Sequence, residues 1–289
     1  MGPTRHPLPG ARWHFAHGPI ELVIGADGDR DAVAAAHEAA WQRFGSVLPE
    51  LVAELPLLRR PVQSGRCPLQ GPVARRMWQA CAALPTDFIT PMAAVAGAVA
   101  EEIVGAYRAA GIGRAYVNNG GDIALHLTPD AQWRLGLVTD IGRPLRDGAL
   151  PLDGRFTVRG TDAVRGVATS GWPGRSHSLG IADAVTVLAA TAAQADAAAT
   201  LLANAVNADD PRIERAPACR LRDDSDLGDR LVTVHVPPLP APLVAAALQA
   251  GVRQARHLQG LGLIHAAALA CQGRVETVQP LADTLPQAA

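Results

Sequence analysis

The sequence predicts an α+β fold of mixed and antiparallel sheets packed with helices, and three observations carry that expectation. Alanine-rich stretches bounded by helix-start and helix-stop residues run through 31–44, 91–110, 192–206 and 242–258. Between them lie short apolar runs closed by glycine or polar turns, the pattern of strands. Hydrophobic residues make up 48% of the 289 and charged residues 18%, so enough apolar surface is available to offset chain entropy. A chain of this length forms one large domain or two smaller ones.

Taken in order, Ile20 to Ile24 reads as a strand ended by a Gly25-Ala26-Asp27-Gly28 turn, with a helix from Asp31 to Phe44 capped by Asp31. Prolines 49, 56, 61, 68 and 72 make Pro49 to Arg76 irregular, and Pro72 to Leu84 a short helix. Thr90 and Pro91 suit the cap and first turn of a helix that runs to Ala110 and stops at Gly111. Ala115 to Asn118 and Ile123 to Leu127 flank Asn119-Gly120-Gly121-Asp122 as two strands joined by a glycine turn. Trp133 to Val138 is a further strand, and Leu150 to Val158 holds short apolar strand pieces. Gly166 to Ser170 is extended, Gly171 to Gly180 a loop, Ala184 to Leu188 a strand and Ala192 to Val206 a helix. The Asp/Arg-rich stretch from Asn207 to Asp229 reads as a solvated loop rather than a site. Leu231 to Val236 is a strand, Pro242 to Leu258 a helix, Leu263 to Ala270 a strand, and the tail after Val278 frays.

Composition narrows the function. A formal net charge of -1 gives no field to gather a polyanion, and 4% aromatic residues make poor stacking platforms, so nucleic acid is not expected as a partner. All 26 basic residues are arginines, which removes Schiff-base and Walker-lysine chemistry. Cys67, Cys81, Cys219 and Cys271 show no Cys-x-x-Cys spacing and read as ordinary thiols. The first twenty residues lack the apolar core of a signal peptide, and no apolar run reaches the roughly 20 residues of a membrane span. A cytoplasmic protein with a small-molecule ligand is the expectation.

Asp196 and Thr200 lie four apart on a helix and so share a face. A carboxylate and a hydroxyl side by side offer two hard oxygens to Mg²⁺, though an acid near a helix start also simply suits the helix dipole. Ala168-Thr169-Ser170-Gly171 brings hydroxyls and a flexible glycine to a strand end, where backbone groups can face a ligand or merely make a polar turn. His177, seven residues after Ser170, suits a general base or a surface position. Asn119-Gly120-Gly121-Asp122 lets main-chain N–H groups approach a phosphate or purine, and equally makes a hairpin turn. Asp183 is a further carboxylate, at a strand entry.

Four segments in one order, Pro91 to Ala98, Asn119 to Asp122, Ala168 to Gly171 with His177, and Ala195 to Thr200, resemble the ApbE-like proteins, especially an uncharacterised UPF branch. The resemblance covers about 91–206 and implies a single ApbE-like domain over 1–289, with 1–90 and 207–289 as its N- and C-terminal parts. Its enzymes are Mg²⁺-dependent FAD:protein FMN transferases, so FAD or a related nucleotide and Mg²⁺ are the implied cofactors. By matching position, the Ala168 carbonyl, Asp196 and Thr200 would hold the metal. Met92, Gly97, Asn119, Gly120, Gly121, Asp122, Thr169, Ser170 and Gly171 would bind the nucleotide, and His177 and Asp183 would be catalytic. The transferases follow their histidine with Asp-Pro-x-Thr-Gly, where this chain reads His177-Ser178-Leu179-Gly180-Ile181-Ala182-Asp183-Ala184. Two readings follow: a divergent phosphoryl or nucleotidyl transferase or hydrolase, and a non-catalytic cofactor-binding or assembly protein. A homodimer is compatible with either.

Overall fold

The structure is a computed structural model that describes residues 2–138 and 153–279. Nine strands form one open sheet in the order β1 (Thr4–Leu8), β2 (Arg12–His17), β3 (Ile20–Gly28), β4 (Ile112–Asn119), β5 (Asp122–Leu127), β8 (Gly166–Ser170), β9 (Ala184–Ala189), β12 (Ala266–Cys271) and β13 (Arg274–Val278). Every pairing among them is antiparallel. β6 (Gln132–Leu137) with β7 (Gly154–Arg159), and β10 (Glu214–Pro217) with β11 (Leu231–His235), make two small antiparallel pairs. The helices are α1 (Arg30–Ala53), α2 (Leu55–Leu58), α3 (Pro72–Ala82), α4 (Val95–Val104), α5 (Ala192–Ala205), α6 (Ala218–Leu221) and α7 (Ala241–Gly260). The α+β class with antiparallel sheets is therefore as expected.

Strand alternation divides the core in two, because successive side chains point to opposite faces. Ala115, Val117, Ala124, Val185 and Val187 face the helices in the main core, with Phe44, Ile103, Leu202 and Leu248 opposite them. Tyr116, Leu125, Leu127 and Leu188 face the other way and form a smaller core with Trp133, Phe156 and Val158 of β6 and β7. The sheet's outer strands are guarded. β1 carries Pro7, which has no N–H to pair, and β13 is exposed at Arg274 and Glu276.

Several expected boundaries move. β3 continues through Gly25-Ala26-Asp27-Gly28, which pairs with β4 instead of turning. The N-cap of α1 is Asp29, whose Oδ1 accepts from the N–H groups of Asp31 and Ala32 at 3.0 Å each, so Asp31 lies inside the first turn. That helix runs on through Pro49, nine residues past Phe44. The expected 90–110 helix is α4 between two 3₁₀ turns, Pro91–Ala94 and Gly105–Tyr107, and Thr90 makes no capping bond. β1, β2, β10 and β13 are additional strands, while 139–152, with the start of the Leu150 to Val158 pieces, and the tail from 280 lie outside the described residues.

Candidate functional site

The site begins where α4 and α5 cross. Thr191 caps α5 by accepting the Gln194 N–H at 3.2 Å, which sets Asp196 in the second turn. The Asp196 Oδ2 accepts the Gly97 N–H at 2.9 Å, one of the unpaired donors in the first turn of α4. In return, Glu101 of α4 accepts the Ala193 N–H at the start of α5 at 3.2 Å. Each helix thus supplies the carboxylate that caps the other. Only glycine fits at 97, since a Cβ there would lie 2.2 Å from the Ala192 carbonyl oxygen.

The β4–β5 turn joins this crossing from the side. Gly120 and Gly121 take positive φ, 66° and 116°, and the Asn118 side chain accepts the Gly121 N–H at 2.8 Å. The Asn119 amide donates to the Ala96 carbonyl at 3.1 Å, which fixes the turn against the start of α4. Asp122, buried at the head of β5, accepts the Thr169 N–H of β8 at 3.1 Å. From a distant part of the chain, its charge bears on Asp196. Burial pushes Asp122 up to about 7, opposed by the Thr169 N–H and Arg175. Burial, and then repulsion from Asp122, holds Asp196 well above the usual carboxylate range.

The other expected residues fall around this pair. Ala168 is buried in β8 beside Asp122's partner Thr169, and Thr200 lies partly buried one turn beyond Asp196 on the same face of α5. The Thr169 hydroxyl instead meets Thr186 of β9 at 2.8 Å, so only its N–H serves the pair. Ser170 ends β8, and Gly171 packs so tightly that a Cβ would lie 2.2 Å from the Asp183 carbonyl oxygen. Met92 is packed against the main core. Asp183 accepts from Trp172 Nε1 at 3.3 Å and from the Gln272 N–H at 2.5 Å, tying the start of β9 to the β12–β13 turn.

His177 keeps different company from Asp183. Its Nε2 is enclosed and has no hydrogen-bond partner among the described residues. Burial and the nearby Arg222 lower its pKa, while Asp226 opposes them. Asp226 also accepts a short hydrogen bond from the Thr90 hydroxyl, and Arg59 pairs with Asp224 at 2.5 Å. The 222–230 stretch stays largely exposed, as its charge run suggested, but is fastened beside the site at these points. Sequence reasoning missed Asp226 because its partner Thr90 stands 136 positions away. No helix among the described residues is long and apolar enough to cross a membrane.

Comparison with known proteins places the chain. The family model "AbpE bacteria" matches residues 5–277. The UPF0280 protein of Methanosarcina acetivorans is 34% identical over 216 residues, 74% of this chain and 79% of the relative. That of Methanosphaerula palustris is 43% identical over 121 residues, 41% of this chain and 47% of the relative. That of Methanothrix thermoacetophila is 37% identical over 165 residues, 56% of this chain and 65% of the relative. The chain thus spans less than two thirds of the length of these last two. Among solved structures, the apo flavinyl transferase ApbE of Pseudomonas stutzeri gives a TM-score of 0.45 at 13% identity, covering 96% of this chain and 93% of that one. The flavin transferase ApbE of Vibrio cholerae gives 0.45 at 13%, covering 96% of each. Matched by the family model from residue 5 to residue 277, the chain belongs to the AbpE bacteria family, and the ApbE-like kinship expected from its four segments is borne out.

Proposed function

We propose that the protein binds a flavin or adenine dinucleotide beside a divalent cation and acts as a phosphoryl or nucleotidyl transferase or hydrolase. The observation that supports this best is Asp196, placed where burial and then the charge of Asp122 disfavour its ionised form, with Asp122 itself raised by burial. A small hard cation offsets both costs at once, so the donor set fits Mg²⁺. Among the described residues no three His, Cys, Asp or Glu side chains could together hold a metal. On this reading the two carboxylates are completed by the Ala168 carbonyl and the Thr200 hydroxyl. The bound cation would neutralise pyrophosphate charge. Asn119 to Asp122 would then lie along the nucleotide with Thr169, Ser170 and Gly171, and His177, with its unpartnered Nε2, would move the proton.

A second reading has its own support. The Asp196 carboxylate already caps α4, and a carboxylate with a structural task suits a protein that holds a cofactor without chemistry. Melting with FAD, FMN and ADP, with and without Mg²⁺, tests both. A nucleotide at about 100 times its Kd adds roughly 2.7 kcal/mol of stability. The gain should be larger with Mg²⁺, and Asp196→Asn, whose amide oxygen still accepts the Gly97 N–H, should remove the Mg²⁺-dependent part. A melt that no nucleotide shifts sinks the reading. Release of FMN or AMP from FAD, abolished in His177→Asn, separates the enzyme from the binding protein.

A further inference from the structure

We infer that Arg175 is the anion-gripping arm of this site, placed to hold the phosphates of a pyrophosphate-bridged ligand against the Asp122–Asp196 pair. This rests on the cation–nucleotide reading of the site and adds the residue that would select for phosphate. Arg175 stands at the exposed tip of the 171–180 loop. The loop's stems are fixed. The Trp172 N–H donates to the Ala182 carbonyl at 2.9 Å, and Asn204 Oδ1 accepts the Leu179 N–H at 2.9 Å and contacts the Ser178 hydroxyl at 3.1 Å.

So held, the guanidinium lies on the β4–β5 turn. A Cβ on Gly120 would lie 2.2 Å from its Nη2 and 3.3 Å from its Cζ, so the flat group rests where any side chain at 120 would be. Gly120 stands two residues before Asp122, so the guanidinium covers the turn that leads into that carboxylate. Among the described residues Arg175 donates no hydrogen bond and makes no ion pair, so its donors stay open at the exposed loop tip. A planar, permanently charged fork with open donors, beside carboxylates suited to a cation, matches a metal–phosphate ligand in both signs of charge. The chain has no lysine to serve instead.

Isothermal titration with Mn²⁺ alone and with inorganic pyrophosphate in saturating Mg²⁺ tests this on the full chain. Arg175→Ala should weaken pyrophosphate by roughly 10- to 100-fold, the range for a lost charged hydrogen bond. It should leave Mn²⁺ affinity unchanged or tighter, because a positive charge beside Asp122 has gone. Arg175→Lys, which keeps the charge and loses the fork, should fall between. General damage to the site would weaken both ligands together, and that result overturns the inference. Unchanged pyrophosphate affinity in Arg175→Ala, or no pyrophosphate binding by the unaltered protein, also overturns it. Asp196→Asn separates the two claims. If it abolishes Mn²⁺ binding while Arg175→Ala changes nothing, the arm fails and the cation site stands; if Mn²⁺ binding survives Asp196→Asn, the cation site itself fails.

Discussion

Gly97 shows how much a single position can decide. With a Cβ only 2.2 Å from the Ala192 carbonyl oxygen, Gly97→Ala must push α4 off α5. Overpacking of this kind costs about 2 kcal/mol, and the urea midpoint should fall with little change in slope. Because the Gly97 N–H also holds Asp196, the variant tests the proposed cation site too, and on that proposal affinity for Mg²⁺ should fall along with stability. Residues of this sort were legible. Asp196 and Thr200 are separated by one helical turn, and Asn119-Gly120-Gly121-Asp122 names its own turn, so local spacing alone placed them. The electrostatic pairing of Asp122 with Asp196 was not legible, since it depends on β5, β8 and α5 meeting in three dimensions. The cap of α1 was misplaced by two residues because Asp29 and Asp31 are chemically alike and only backbone geometry separates them.

Helices α1, α3 and α4 are joined by charge as well as by apolar contact. Arg43 of α1 reaches Glu50 at 2.6 Å on its own helix and Glu102 of α4 at 2.7 Å, and Arg76 of α3 reaches Glu102 at 2.9 Å. Burial would raise the Glu102 pKa, but the two guanidinium groups outweigh it and the net shift is downward. A carboxyl depressed in the folded state stabilises above its unfolded pKa, and that contribution is lost as pH falls through the folded value. Stability should therefore drop in acid below the ordinary glutamate value of 4.5, and Glu102→Gln should flatten that limb of a stability–pH curve. At neutral pH the same substitution should cost roughly 2 kcal/mol. The existence of these helices was readable from alanine content and stop residues. The breaking of the 90–110 stretch into 3₁₀, α and 3₁₀ turns was not, because Thr90, the expected cap, gives its hydroxyl to Asp226. β1 and β2 escaped notice for a related reason: His, Arg and Pro interrupt the apolar alternation that marks a strand.

Across the molecule, the excursion between α5 and α7 is fastened to the N-terminal third at separate points. Asp224 pairs with Arg59, Asp226 bonds Thr90, and Arg230 lies 3.4 Å from the Phe88 ring centroid. The Thr233 N–H, in turn, donates to the Ser178 carbonyl at 2.8 Å, one residue past His177. Asp226→Asn should speed amide hydrogen exchange in 222–230 and 171–180 while leaving α1 and β3 as protected as before. Equal protection throughout would show that the fastening does not support the His177 loop. The class of fold was legible, being set by many local patterns that agree; this fastening was not, because charge runs carry no address for their partners. The open sheet has a last consequence of its own. With a proline in β1 and exposed charge along β13, both outer strands carry features that disfavour edge-to-edge pairing with a second chain.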